Sequence, residues 1–237
     1  MILRTQTSRI NLRIVREFFL ALSFANDRAC SNNKTMYHFC MSVYTKIANF
    51  LFEIGTMRKL PRMHRQMLLT DDDSDTIASH SYRVAIIAWI LAKEEGADPY
   101  KAVMMALLHD IAEARTGDHN WVHKRYIKLF EDEVHQEQLK SLPYPELKEL
   151  VDEYEERKTK EAIVAKHADL LDQVLLLREY EWQGNKEASV WLHGKGKAKG
   201  NAQLKKLTLK KAKALGRAIY TTPPSAWWDD LWTSKNR

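Results

Sequence analysis

Four ionisable side chains interrupt stretches of sequence that are otherwise apolar. His109 and Asp110 directly follow the apolar run 102–108. His80 and Asp169 lie within segments rich in Ala, Val, Leu and Ile. A buried carboxylate must be paired, hydrogen-bonded or bound to a metal ion. Two imidazoles and two carboxylates on three apolar segments therefore indicate one shared polar centre, and this donor set suits Mn, Co, Fe, Zn or Mg with positions left for water.

The adjacency of His109 and Asp110 restricts how the pair can bind an ion. Neighbouring residues of an α-helix diverge by about 100° because the helix has 3.6 residues per turn. The two side chains can share an ion only at a shoulder of their helix, and the other two residues would complete the site from neighbouring helices. An isolated His-Asp pair is more often a local hydrogen bond, but here Glu113 follows one turn later and Asp118 lies just beyond a turn. These additional acids favour a functional centre.

The apolar periodicity predicts the helices that position these residues. A helix over 77–95, apolar on nearly all sides and ended by a glycine, should be buried. The next helix is predicted over 99–114, with Asp98 as its N-cap and Pro99 in its first position. A third long helix is predicted over 160–182 and carries the second aspartate of the centre. The polar centre should therefore lie where these three helices meet.

The rest of the chain also indicates helices joined by loops. Further helices are predicted over 42–56, 121–140, 146–154 and 202–220, and 57–76 is predicted to be a loop. The chain has only eight Gly and six Pro, so long helices meet few breakers. No run of alternating Val, Ile and Thr bounded by turns is present. Composition and periodicity therefore predict an all-α protein.

Four motifs occur in order along the chain: SHSYRVA at 79–85, HDIAE at 109–113, TGD at 116–118 and AKHAD at 165–169. Together with the preceding FLFEIGTMRKLPR, they resemble the HD-domain metal-dependent phosphohydrolases, and most closely the branch that contains the 5'-deoxynucleotidases. The resemblance covers about residues 45–183. It implies an all-α, HD-domain helical bundle with N- and C-terminal extensions.

The resemblance also implies a role for individual residues. The metal ligands of the family match His80, His109, Asp110 and Asp169. Glu113 matches an acid that orients the attacking water, and Asp118 matches a candidate proton donor near the leaving oxygen. Lys59 falls where the family places a phosphate-binding Arg, but Lys lacks the bidentate fork of Arg. Arg62 is the candidate to compensate, and a solvated basic loop is the alternative interpretation for both residues.

Other polar residues near these motifs have less defined roles. Asp172 either supports the ligands or is an ordinary polar position, and the second interpretation is preferred. His167 is expected to be buried or to lie beside the ligands. Surface positions are expected for the histidines without an evident partner: His64, His119, His123 and His135.

The ends of the chain are predicted to lie outside the central domain. Residues 1–41 form an N-terminal extension, 42–185 the HD phosphohydrolase domain, and 186–237 a basic helical and Trp-rich C-terminal extension. The composition of residues 1–35 resembles an organellar transit peptide. We favour a later methionine as the working start, which leaves the protein in the cytoplasm and makes the extension untranslated or disordered.

The function implied by these features is hydrolysis of a phosphate ester with one divalent ion as cofactor. A bound ion lowers the pKa of water and neutralises phosphoryl charge, so no covalent enzyme intermediate is needed. Nucleoside 5'-monophosphates are the first choice of substrate. The HDIAEA motif differs from that of the alarmone hydrolases, and no GYP motif indicates cyclic-dinucleotide hydrolysis.

Two alternatives remain open at this stage. A deoxynucleoside triphosphohydrolase uses similar ligands, and the basic segment 195–213 would supply more cations if it folded over the site. A nucleic-acid-binding protein would use the same segment with Trp191 and the Trp-rich tail at 227–232, but no base-reading motif is present. The net charge of +6 alone does not indicate nucleic acid. The resemblance also allows a homodimer, and no stretch is long enough for a membrane span.

Overall fold

The computed structural model describes residues 34–195 and 200–231, and the predictions for residues 1–33 and for the end of the tail lie outside these ranges. Within them every regular element is helical, which confirms the all-α prediction. The chain divides into two units, 1–49 and 50–237. The described part of the first is a helical stretch, and the second carries all the predicted site residues.

Eleven α-helices are present in the described ranges. They are α1 (Lys34–Ile54), α2 (His64–Leu68), α3 (Ile77–Glu95), α4 (Pro99–Leu108), α5 (Glu113–Thr116), α6 (His123–Tyr126), α7 (Glu131–Leu139), α8 (Pro145–Glu156), α9 (Lys160–Trp182), α10 (Lys186–His193) and α11 (Lys210–Thr221). Short 3-10 helices occupy Gly55–Lys59, Leu204–Lys206 and Ala226–Leu231. No helix of the described residues has the length and apolar character that a bilayer span requires.

The caps of the central helices explain why their predicted starts are confirmed. The Thr76 hydroxyl accepts from the Ser79 N–H at 3.2 Å, while the Ser79 hydroxyl accepts from the Thr76 N–H at 2.9 Å. This reciprocal capping box satisfies two N–H groups at the start of α3. The Asp98 side chain caps α4 by accepting from the N–H groups two and three residues further on, with Pro99 in the first turn. Gly96 ends α3 with a left-handed φ of 69°.

Four predicted segments differ from the structure. The helix predicted over 42–56 begins at Lys34, and 57–76 contains a 3-10 helix and α2 rather than only loop. The helix predicted over 121–140 is divided into α6 and α7, and α11 begins only at Lys210. Between α6 and α7 the backbone of Ile127 is extended, which ends α6. Asn120 Oδ1 caps the start of α6 by accepting from the N–H groups of Val122 and His123.

A fifth predicted segment also differs from the structure, next to the predicted metal ligands. The helix predicted over 99–114 ends at Leu108 and resumes as α5 at Glu113. Between them the backbone makes tight i to i+3 hydrogen bonds, including Glu113 N–H to Asp110 O at 3.0 Å. This turn lets the two successive predicted ligands, His109 and Asp110, face one point, whereas a straight helix would separate their directions by about 100°.

The core of the second unit is built where α3, α4 and α9 pack together. Small side chains allow these helices to approach closely, among them Ala88, Ala106 and Ala168, all fully buried. Larger residues such as Leu91 and Leu171 fill the remaining space, and burial of each such side chain contributes about 1.5–3 kcal/mol. The three helices that carry the polar centre are therefore also the most tightly packed part of the unit.

A short antiparallel bridge places the segment before α2 against the start of α3. Pro61 pairs with Thr76, and the N–H of Ile77 donates to Leu60 O at 3.0 Å. The N–H of Arg62 donates to Asp75 O at 2.8 Å. These bonds fix Arg62 near the helix that carries His80.

Candidate metal centre

Three elements bring the predicted ligands together. His80 comes from the first turn of α3, His109 and Asp110 from the turn after α4, and Asp169 from the middle of α9. His80 Nε2 lies 3.3 Å from His109 Nε2, and 3.5 Å from both Asp110 Oδ2 and Asp169 Oδ1. His109 Nε2 lies 3.1 Å from Asp110 Oδ2. The four side chains therefore direct nitrogen and oxygen atoms toward one point.

The second nitrogen of each histidine is held by an acceptor. His80 Nδ1 lies 2.6 Å from Asp172 Oδ2, and His109 Nδ1 lies 2.7 Å from Ala106 O. Neither acceptor carries a proton of its own when Asp172 is ionised, so the hydrogen bonds assign the proton to Nδ1 in both rings. The lone pair of each Nε2 is then free to bind a metal ion, as is usual for ligating histidines.

Asp172 belongs to a network that extends away from the ligands. Arg83 Nε donates to Asp172 Oδ1, and Arg83 Nη1 donates to Glu179 Oε1 at 2.6 Å. Burial alone would raise the pKa of the Asp172 carboxyl, but the hydrogen bond and charge of His80, together with Arg83, lower it. The structure therefore favours the supporting role for Asp172 over the ordinary polar position that was preferred from sequence.

The two predicted carboxylate ligands are held in the charged form. Burial would raise the pKa of Asp110, but His109, Arg62 and His80 outweigh it and the pKa falls well below its ordinary value. Burial likewise opposes ionisation of Asp169, whose pKa is lowered by Lys166 and by the two histidines. Lys166 Nζ donates to Asp169 Oδ2 at 2.7 Å.

Glu113 is near the predicted carboxylate ligands, but its carboxyl favours the protonated form whereas theirs are charged. Burial and the negative charges of Asp110 and Asp118 raise its pKa to about 10. Its Oε2 atom is buried without a hydrogen-bond partner among the described residues. Glu113 therefore presents an unsatisfied oxygen beside the predicted metal ligands.

Arg62 and Asp118 lie on the other side of Asp110. Arg62 Nη1 donates to Asp110 Oδ2 at 3.3 Å, and Arg62 Nε lies 3.8 Å from Asp118 Oδ2. Asp118 Oδ2 also accepts from the N–H of Met63 at 2.5 Å. Burial would lower the pKa of Arg62, but the surrounding carboxylates raise it, so the guanidinium stays charged. Lys59 is exposed and does not line the cavity that contains these groups.

The predicted centre opens into a cavity of about 300 Å³. Its walls include Glu113 and Asp118, four cationic side chains and several groups that the sequence did not indicate. The cations are Arg62, Lys124, Arg157 and Lys166, and the additional groups include His64, His119, His135 and Tyr154. A cavity with cations around a carboxylate-rich floor suits an anionic ligand bound through a metal ion.

The predicted surface positions of two histidines are wrong. Both residues reach the cavity from parts of the chain that are distant in sequence from the motifs. His135 was expected at the surface, but it is buried on α7. His64 is partly buried, and burial and the charge of Arg62 lower its pKa to about 4. His167 is buried as expected, with Nε2 2.8 Å from the Thr208 hydroxyl. Spacing along the sequence gave no sign of these tertiary contacts.

The donor atoms fit a divalent metal ion. One ligand atom from each of His80, His109 and Asp110 lies within 4.8 Å of the others. Asp169 is outside this tightest group, with one oxygen 3.5 Å from His80 Nε2 and the other paired with Lys166. Imidazole and carboxylate ligands together suit the first-row ions and Mg. Asp169 would complete the set if it exchanged part of its contact with Lys166 for the ion.

Comparison with known proteins places these residues in a wider context. The sequence profile of the HD domain matches residues 57–208. The chain is 30% identical to a protein named 5'-deoxynucleotidase HDDC2 from Homo sapiens over 57% of this chain and 68% of that one. The HDDC2 protein of Dictyostelium discoideum is 30% identical over 60% of this chain and 80% of that one. These proteins are relatives at a distance that preserves a domain but not every functional detail.

Solved structures resemble the chain as well. A predicted metal-dependent phosphohydrolase from Magnetospirillum magnetotacticum has a TM-score of 0.57 at 26% identity, covering 77% of this chain and 93% of the other. A conserved hypothetical protein from Pyrococcus furiosus has a TM-score of 0.58 at 29% identity, covering 74% and 99% of the two chains. The overall helical fold is therefore shared with proteins of both bacteria and archaea.

Proposed function

The chain belongs to the HD domain phosphohydrolases, as its motifs predict, and we propose that it releases inorganic phosphate from nucleoside 5'-monophosphates. The names of the HDDC2 relatives support this substrate class. The proposal rests on one observation. His109, Asp110 and Asp169 line a cavity, and His80 Nε2 lies within 3.5 Å of an atom of each of them. In the same cavity a buried oxygen of Glu113 has no hydrogen-bond partner among the described residues.

A divalent ion held by the four ligands would lower the pKa of a bound water and neutralise charge on the phosphoryl oxygens. Glu113 would orient that water and accept its proton, for which the carboxyl must be ionised. The negative charge of Asp110 contributes to its raised pKa. Once that charge is neutralised by ligation, the repulsion falls and the carboxylate form of Glu113 becomes available.

The remaining groups of the cavity act on the substrate. Arg62 supplies two or more donors to the phosphate, and it takes the role that the motif comparison first gave to Lys59. The proposal is supported by the hydrogen bond of 3.3 Å from Arg62 Nη1 to Asp110 Oδ2, since a phosphoryl group held at the ion would lie within reach of this guanidinium. Asp118 lines the same cavity and is proposed to protonate the leaving nucleoside oxygen, as a positioned acid does in general acid catalysis.

The experiment is a product assay on protein of known metal content. We expect inorganic phosphate from deoxynucleoside 5'-monophosphates, with Co or Mn giving higher rates than Mg. Release of tripolyphosphate from a deoxynucleoside triphosphate, with no phosphate from any monophosphate, would overturn the substrate proposal and leave the proposed metal site intact.

A deoxynucleoside triphosphohydrolase is the second candidate, and one observation favours it. Lys206, from the basic segment 195–213, lines a cavity that adjoins the metal centre. Burial and the charge of Lys166 lower the pKa of Lys206, while Asp169 raises it, so these groups are within electrostatic range. Lys206 would therefore add a cation of the kind that a triphosphate needs. The product assay separates the two candidates, and molar mass in solution tests the proposed homodimer.

A further inference from the structure

We propose that a second cavity, lined by Trp121 and Trp191, binds the base of the nucleotide while its phosphate lies at the metal centre. This inference rests on the proposed function and names the subsite that would recognise a nucleotide. The cavity measures about 400 Å³. It shares four wall residues with the metal-centre cavity, namely His64, His119, Lys124 and Gln173. A ligand anchored at the metal centre can therefore extend into the aromatic cavity.

Trp121 is displayed on a rigid turn rather than packed into the core. Its side chain is 62% exposed. The preceding Asn120 is buried, and its amide donates to Met63 O at 3.2 Å and to Gln66 Oε1 at 2.8 Å. These bonds fix the backbone beside the indole. An exposed aromatic ring at the wall of a cavity, on a backbone fixed beside it, offers a face on which a base can stack, and stacking contributes about 1–3 kcal/mol per base.

Trp191 is held more firmly, on the wall of the second cavity beside His64. It packs against the cluster around Leu192, and its ring meets the His64 ring edge-on, with centroids 5.7 Å apart. Gln203 Nε2 donates to Trp191 O at 3.0 Å. His64 Nδ1 is buried without a hydrogen-bond partner among the described residues. This nitrogen is a polar group beside the indole that a nucleoside can satisfy.

The chemistry of the cavity predicts what it selects. Stacking on indole is tolerant of base identity because every base has a π-face. Purines bury more ring area than pyrimidines, and buried area determines the size of the apolar contribution. Gln173 and Lys206 supply polar groups at the wall for the edge of a base. We therefore expect broad nucleotide binding with purines favoured.

The test compares substrates with and without a base. Trp121→Ala should raise KM for deoxyadenosine 5'-monophosphate by about 5- to 100-fold, which corresponds to the loss of one stacking contact. KM for 2-deoxyribose 5-phosphate, or its inhibition constant if it is not turned over, should stay within twofold. Trp121→Phe should retain most of the affinity. Trp182→Ala is the matched control, because Trp182 is 58% exposed and lines neither cavity.

A binding measurement separates this inference from the proposed function. The fluorescent 5'-monophosphate of 2-aminopurine deoxyriboside should be quenched on binding to the wild-type protein and to the Trp182→Ala variant, but weakly by Trp121→Ala. At position 191 we choose Phe, because it preserves the core contact better than Ala would. Trp191→Phe should weaken quenching less than Trp121→Ala does. If no monophosphate is hydrolysed but this quenching pattern persists, the proposed reaction fails and the base subsite stands. Equal quenching by Trp121→Ala and wild type, or equal loss of affinity for the base-free phosphate, would overturn the inference.

Discussion

The two sides of the candidate metal centre differ in how their polar atoms are satisfied. Behind the ligands, Asp172 uses one oxygen for His80 and the other for Arg83, whose guanidinium also binds Glu179. In front, five residues that line the cavity each have a buried side-chain atom without a hydrogen-bond partner among the described residues. The atoms are Glu113 Oε2, Arg62 Nε, His64 Nδ1, His135 Nε2 and Arg157 Nη1.

This difference separates positioning from chemistry. A buried polar group without a partner costs about 1–3 kcal/mol, so the front of the centre is less stable than the back. Folding tolerates that cost where water, phosphate or sugar can complete the hydrogen bonds. We therefore expect substitutions behind the ligands to change metal affinity, and substitutions in front to change turnover with metal retained.

Removal of a predicted ligand should have the largest effect, because metal binding and hydrolysis would be lost together. The difference between the back and the front of the centre would then disappear. His109→Ala or Asp110→Ala should weaken metal binding by more than ~100-fold, because loss of a supporting contact alone costs about 10- to 100-fold. Hydrolysis should be lost with the metal. Metal content by elemental analysis and helical content by circular dichroism check the two parts. Full metal occupancy in both variants would show that the ligand assignment is wrong.

Substitution of Glu113 tests the front of the centre. Glu113→Gln should keep the metal and lower turnover by about 10²- to 10⁴-fold, the range for loss of a general base. Glu149→Gln, on the exposed surface of α8, is the control and should behave as wild type. Turnover of Glu113→Gln near that of wild type would remove its role on water, and loss of metal would make it a ligand instead.

Substitution of Asp172 tests the back. Asp172→Asn should weaken metal binding by about 10- to 100-fold, because His80 loses the acceptor that orients it and increases its basicity. At saturating metal, kcat should return to within a few-fold of wild type. A metal titration of activity gives both values in one experiment. If kcat stays low at saturating metal, Asp172 takes part in the chemistry and the two sides do not differ as proposed.

The fold was predictable from sequence where local chemistry defines an element. Confirmed predictions include the start of α3 at its capping box, the start of α4 at Asp98-Pro99 and the bounds of α9. Predictions failed where tertiary contacts override periodicity. The helix predicted over 99–114 is interrupted at 109–112, where tight turns beside His109 and Asp110 replace the regular α-helix.

The candidate site divides in the same way. The four proposed ligands were recognisable because a buried ionisable group must be paired, hydrogen-bonded or bound to a metal ion. The order of the motifs along the chain then indicated a metal site. The network of Asp172, Arg83 and Glu179 could not be recognised from the sequence, because it joins α3 to α9 across about 90 positions of sequence. Nor does spacing indicate that Arg62 and not Lys59 faces the cavity, since the bridge between Pro61 and Thr76 decides that orientation.

The last prediction concerns the stability of the metal-free protein as pH changes. The pKa of Glu113 is raised from an ordinary value near 4.5 to about 10 in the folded protein. A carboxyl with a raised pKa stabilises the folded state below about pH 4.5, and that contribution is lost as pH rises toward about 10. Glu113→Gln lacks this term. The variant should therefore gain stability over wild type as pH rises, by up to ~1.4 kcal/mol per pH unit.

Urea unfolding of chelated protein between pH 6 and pH 9 measures this difference, with Glu149→Gln expected to parallel wild type. Saturating metal should reduce the difference, because a cation next to Asp110 offsets part of the negative charge that raises the pKa of Glu113. Parallel pH profiles for wild type and Glu113→Gln would mean that Glu113 is ionised in the folded protein without metal. In that case the front of the centre holds an additional fixed charge, and its unpartnered oxygen is a candidate for binding the ion itself.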